Sequence, residues 1–264
     1  MHMPQTHGLT GQARLLLAVF AVIWWAFPAQ GQDRRAVSLE LVLLVDVSAS
    51  VDDAEYHLQT SGLAAAFESA QVLSAIRALP TGGMAICVVQ WADHAHQQRA
   101  VDWTLLERET DALDLARRIA AMPRRIKGGH TALGDALAFA LNEIRSNGYA
   151  GLRRVIDLSG DGRANDGRSL IGAREEVLKN GITINGLAIL NELPLLEGYF
   201  REHLVGGEGA FVIAAADYRD FARAMRHKLE QEIRSAPIAE NISEDAVIEA
   251  RAGRALENGT DSIP

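Results

Sequence analysis

Five oxygen-bearing side chains carry the chemistry that this sequence advertises: Asp46, Ser48, Ser50, Thr131 and Asp161. The first three alternate at the end of the apolar run Leu41-Val42-Leu43-Leu44-Val45, which reads as a buried strand. A carboxylate and two hydroxyls where a strand stops make the beginning of an all-oxygen site for a hard divalent cation. Gly128-Gly129-His130-Thr131 and Ser159-Gly160-Asp161-Gly162 can supply the remaining oxygens. Magnesium suits this donor set best, with manganese or calcium as substitutes. Only two carboxylates offset the dication, so it would stay electrophilic enough to accept an acidic side chain from a protein partner.

The elements that must position these residues alternate. Strand-like runs are expected over residues 39–45, 83–91, 152–158, 183–190 and 210–214, most of them continuously apolar, as strands covered on both faces are. A weaker run at 97–101 follows the second closely enough to form a hairpin and lie antiparallel at the edge. Leu63, Phe67, Ala70, Leu73, Ile76 and Leu79 predict one helix after the acids Asp52 and Asp53. Leu133, Leu137, Leu141 and Ile144 predict another, with Thr131 as its N-cap, and Phe221, Met225, Leu229 and Ile233 a last one. Residues 112–122, 168–179 and 195–204 are further helical candidates. The expectation is an α/β fold, doubly wound, with a mainly parallel sheet, one antiparallel edge strand and helices on both faces. In such sheets ligands lie beyond the carboxyl ends of the strands, where Asp46 and Asp161 both fall.

Around this domain the 264-residue chain has two different ends. Arg14, the apolar stretch beginning Leu15-Leu16-Leu17 and the small residues Ala29 and Gly31 read as a secretory signal over 1–31. Left uncleaved, it would be a membrane anchor; either way the protein is exported, periplasmic or secreted. Residues 236–264 hold six acids against two bases, half of the net charge of −8, and read as a loose acidic tail. Asn241-Ile242-Ser243 and Asn258-Gly259-Thr260 within it match the glycosylation pattern. That overall charge, without a basic block, excludes nucleic acid as a natural partner. The lone cysteine, Cys87, lies in a strand pattern and reads as a small buried hydrophobe.

The three oxygen-bearing segments, in this order and spacing, resemble the metal-ion-dependent adhesion site of von Willebrand factor type A domains. More narrowly, residues 44–52, Val89-Gln90-Trp91 with Trp103-Thr104, and residues 128–136 resemble a bacterial family of exported A-domain proteins without known function. The likeness covers 38–235. It implies a doubly wound fold and a metal held directly or through water by Asp46, Ser48, Ser50, Thr131 and Asp161. It also implies an adhesion-type module that binds a protein partner. His130 departs from the pattern, where relatives often carry a small residue beside the threonine.

Other groups weigh less. Asp93-His94-Ala95-His96 could pair two histidines on one face, but no cysteine or third histidine follows at ligand spacing, so it reads as solvated histidines at a hairpin tip. Arg124-Arg125-Ile126-Lys127 is either a steering patch for an acidic partner or an ordinary loop. Gly160 and Gly162 read as permitting a tight turn, and Asn165 and Asp166 as loop-shaping or water-binding. Trp91 and Trp103 read as core or strand-pair aromatics. An aspartate-nucleophile phosphatase needs a carboxylate where Ser48 stands, and the Gly-x-Ser-x-Gly elbow of a serine hydrolase is absent. The sequence therefore points to a binding module and not an enzyme, with a metal-assisted hydrolase or a scaffold with a vestigial site as alternatives.

Overall fold

A computed structural model describes residues 34–80 and 82–236. The expected signal and nearly all of the acidic tail, including both glycosylation-type motifs, lie outside them.

Six strands form one sheet: β1 (Arg35–Asp46), β2 (Met84–Trp91), β3 (Gln97–Leu106), β4 (Tyr149–Gly160), β5 (Thr183–Ile189) and β6 (Val212–Ala215), in the order β3-β2-β1-β4-β5-β6. β3 runs antiparallel to β2 and every other pairing is parallel. The strand order reverses beside β1: the chain leaves it towards β2 on one side and returns through β4 on the other. β1 is buried from Val37 to Asp46 because it is central and covered on both faces, which is why it reads as an unbroken apolar run.

The helices are α1 (Asp53–Glu68), α2 (Ala70–Arg77), α3 (Glu109–Ala120), α4 (Leu133–Ser146), α5 (Leu170–Lys179), α6 (Leu196–Tyr199) and α7 (Phe221–Arg234). α1, α2, α3 and α7 cover one face around Leu41, Leu43, Phe67, Ile86 and Phe221. α4, α5 and α6 cover the other around Val42, Leu44, Trp91, Leu137 and Phe200. Cys87 and Trp91 are fully buried, as expected, and Trp103 donates its indole N–H to Glu143 at 3.1 Å.

Several elements differ from expectation for local reasons. The single helix expected over the Leu63–Leu79 pattern is two, because Ser69 is extended (φ −70°, ψ 143°) and caps both. Its amide donates to Ala66 O while its hydroxyl accepts from Val72 N, so the apolar periodicity passes through a break. The helix expected at 195–204 is one α-turn followed by a π-helical turn, Phe200–Leu204. β3 continues to Leu106, beyond the expected 101, because an edge strand carries only sparse apolar positions.

A charged cluster lies inside the fold, beneath α7. Lys228 of α7, fully buried, sits 2.7 Å from both Asp157 of β4 and Glu232. Asn185 of β5 donates to Glu232 at 2.8 Å. Burial, and then Glu232, push Asp157 up to about 7, with Lys228 pulling it back. Removing one member leaves an uncompensated buried charge. Lys228→Met is therefore expected to lower unfolding stability by ~3–5 kcal/mol, read from urea denaturation. A loss below ~1 kcal/mol would show that the cluster contributes no more than a surface pair.

Candidate functional site

At the carboxyl ends of β1 and β4, on either side of the reversal in strand order, the chain places a buried carboxylate against two hydroxyl-bearing loops. Asp46, the last residue of β1, is fully buried. Its Oδ1 accepts the Ser48 amide at 2.8 Å, while its Oδ2 is buried with no donor in hydrogen-bond geometry. Burial first, then the neighbouring Asp161 charge, raise its pKa to about 7, against the lowering effect of the Ser48 hydrogen bonds. Its backbone oxygen accepts Gln59 Nε2 from α1 at 3.0 Å.

The remaining oxygens gather around it. Ser48 Oγ lies 3.1 Å from Ser50 Oγ, and Ser50 Oγ donates to Asp161 Oδ1 at 2.8 Å. Asp161, just past β4, also accepts the Tyr218 hydroxyl on Oδ2 at 2.8 Å. Thr131 approaches from the second segment, with Oγ1 3.1 Å from where a Cβ on Gly162 would stand. Asp46, Ser48, Ser50 and Asp161 are thus linked by direct contacts, and Thr131 joins them across Gly162.

The glycines act through space, not through a turn. Neither Gly160 nor Gly162 has a positive φ. A Cβ on Gly160 would lie 3.0 Å from Asp46 Oδ2 and 3.3 Å from the Trp91 ring, so any side chain there would press on the buried carboxylate. Gly128 and Gly129 do have positive φ (77° and 104°), which lets the Gly129 carbonyl receive the Ala49 amide at 3.0 Å. That bond joins the first and second segments.

Thr131 is not the cap of α4. Ala132 is the capping residue, and no side chain caps the helix. Thr131 is held through its backbone instead: its amide donates to Asn165 Oδ1 at 2.8 Å and its carbonyl accepts the Asn165 amide at 3.0 Å. Asn165 therefore ties the second segment to the third.

Arg124 is not free to steer a partner. Its guanidinium donates to the carbonyls of Val47, Ser48 and Val51 at 3.1, 3.3 and 2.7 Å and pairs with Asp53 at 3.0 Å. It clamps the loop carrying the two serines. Arg125, Lys127 and His130 are exposed. Neither the Arg124 clamp nor Tyr218 was singled out by sequence reasoning as part of the site. The available signal for Tyr218 was its position just past β6, on the same rim as Asp46 and Asp161.

Comparison with solved structures places this fold among von Willebrand factor type A domains. Proximal thread matrix protein 1 from the mussel byssus superposes with a TM-score of 0.56 at 16% identity, covering 76% of this chain and 47% of that one. The chain thus spans about half of the mussel protein, which has also been solved with zinc occupying its MIDAS motif. The von Willebrand domain of the type V pilus tip protein Mfa5 from Porphyromonas gingivalis matches at 0.55 and 13% identity, covering 79% of this chain and 99% of that one. BatB from Bacteroides thetaiotaomicron matches at 0.51 and 13% identity, covering 75% and 100%. No curated protein matches significantly. The family model described as "Protein of unknown function (DUF1194)" matches residues 36–237.

The raised pKa of Asp46 has a stability consequence. The folded state binds the Asp46 proton more tightly than the unfolded chain, so stability falls as pH rises from 3.8 to about 7. In chelating buffer Asp46→Asn should therefore exceed the parent in stability by a margin that grows over that window, to on the order of a few kcal/mol. Asp157 adds a slope of the same sign to both proteins, so it does not obscure the difference. Parallel unfolding profiles for parent and variant would show that Asp46 is ionised in the fold without penalty.

Proposed function

The chain belongs to the DUF1194 family, and from that premise we propose that it is an exported binding module, not an enzyme, that offers a divalent cation to a carboxylate of a protein partner. The observation that carries this reading is Asp46 Oδ2, a buried carboxylate oxygen with no donor in hydrogen-bond geometry, in a residue joined through Ser48 to the hydroxyl chain Ser48–Ser50–Asp161. A buried carboxylate oxygen left without a donor is unfavourable, and a cation is the simplest group that would satisfy it. Asp46, Ser48, Ser50, Thr131 and Asp161 would hold that cation, directly or through water.

The chain's own residues set how much charge is left over. Asp161 already accepts hydroxyls from Ser50 and Tyr218 on its two oxygens, so its negative charge is shared with those donors. Ser48, Ser50 and Thr131 are neutral. When bound, the ion would supply a Lewis-acid position, open to an aspartate or glutamate of the partner. The Arg124 clamp and the Ala49–Gly129 bond hold the loops before any ion arrives, which keeps the ordering cost of binding low. The oxygen-only donor set favours magnesium, with manganese or calcium as substitutes. The zinc-bearing MIDAS of the mussel protein supports a divalent ion at this place in the fold. The pilus-tip neighbour supports a protein partner and an exported location.

Calorimetric titration of magnesium into the chelator-stripped full chain is expected to give one ion per chain. Asp46→Ala should bind at least ~100-fold more weakly, and equal binding by both proteins would overturn the assignment. The partner step is read separately. An aspartate-containing peptide should shift the backbone resonances of Ser48, Ser50 and Thr131 only with magnesium present. Equal shifts in chelator would show that the ion does not mediate recognition.

A further inference from the structure

We propose that a second cation site, of a different chemical class, lies beside this rim at Asp93, His94 and Asp166. It rests on residues outside the all-oxygen cluster and does not depend on that cluster holding an ion. Asp93 and His94 stand in the turn between β2 and β3, whereas Asp166 belongs to the loop after β4, 72 residues further along the chain. One ligand atom from each of the three lies within 4.8 Å of the others. His94 Nδ1 is 2.8 Å from Asp166 Oδ2, and the His94 amide donates to the same oxygen at 3.0 Å.

The turn that presents these groups is built in advance. The amides of Ala92 and His96 close it onto the carbonyls of His96 and Asp93 at 2.9 and 3.1 Å. Asp93 Oδ1 accepts the Ala95 amide at 2.9 Å and lies 2.7 Å from His96 Nδ1, so the carboxylate orientation is fixed from behind. Carboxylates and imidazoles that ligate metals are commonly held by such outer hydrogen bonds. A Cβ on Gly129 would lie 2.5 Å from Asp93 Oδ2, so the glycine leaves room for that oxygen. Asp93 and Asp166 are mostly covered, at 16% and 23% side-chain exposure, while His94 is 65% exposed.

The donor set decides the ion. One imidazole nitrogen and two carboxylate oxygens, with water in a fourth position, suit zinc and its first-row neighbours; magnesium has no preference for imidazole. Zinc donors at ~2.0–2.2 Å in a tetrahedral shell stand ~3.3–3.6 Å apart, inside the 4.8 Å that bounds the three atoms. Side-chain adjustment at the exposed His94 would set that spacing, with the ion replacing the hydrogen shared between His94 and Asp166. The ion would join the β2–β3 turn to the loop after β4. Both segments already bind the Thr131 region, through Ala92 O to the Ala132 amide and through Asn165 to Thr131.

The test uses the full chain carrying Asp46→Ala, which silences the first cluster, and cobalt as a visible stand-in for zinc. One cobalt per chain is expected, with visible absorption bands, displaced by one equivalent of zinc and unaffected by excess magnesium. Adding His94→Ala, or Asp166→Asn, should weaken binding at least ~10-fold with an unchanged circular dichroism spectrum. Cobalt binding that is absent, that magnesium displaces, or that survives both substitutions at full affinity would overturn the proposal. Magnesium binding by the parent stays a separate measurement, so the two sites can fail independently.

Discussion

The fold is organised around a carboxylate that it removes from water. β1 carries its side chains through the middle of the sheet and ends on Asp46, whose Oδ2 meets no donor. Leaving such an atom buried is tolerable only if the surroundings are shaped for it. Gly160 gives it room, the Ser48 amide satisfies the other oxygen, and Gln59 and Arg124 fix the backbone on either side. Each of these would be a poor use of a residue in a plain α/β domain. Together they enclose a buried carboxylate at the rim of the sheet.

Topology supplies the rest. Because the strand order reverses beside β1, the loops after β1 and β4 diverge to opposite faces and leave a crevice between them. Ser48, Ser50 and Asp161 line it, and the segment before α4 closes it from the β2 side. The three loops are tied pairwise by hydrogen bonds, Ala49 to Gly129, Thr131 to Asn165 and Ser50 to Asp161. The geometry at the crevice is therefore a property of the assembled sheet and not of any one loop.

The sequence made the strands legible because burial on both faces leaves no room for polar residues between 41 and 45, 84 and 89 or 155 and 156. It also put Asp46, Ser48, Ser50, Thr131 and Asp161 on one rim, since strand ends in a doubly wound sheet share a side. What it concealed depends on tertiary contact. Ser69 looks like an ordinary helix position until its extended backbone is seen. Thr131 resembles a cap, but Asn165 holds its backbone elsewhere. Tyr218 meets Asp161 across 57 residues, and Arg124 meets Val47 across 77. The histidines at 94 and 96 are exposed, as read, but the contact of His94 with Asp166 comes from another loop, 72 residues away, beyond any sequence spacing.

The distance along the chain between the two halves of the crevice has a kinetic meaning. Ser50 and Asp161 stand 111 residues apart, and β1 can pair with β4 only after that whole length is available. Closing so long a loop is entropically unfavourable, and parallel pairings of this span are characteristic of slow folders. The cluster therefore requires the long-range pairing of β1 with β4 to be in place. A ligand that bound only the assembled crevice would act mainly by retarding unfolding, lengthening the lifetime of the native state more than it hastened its arrival.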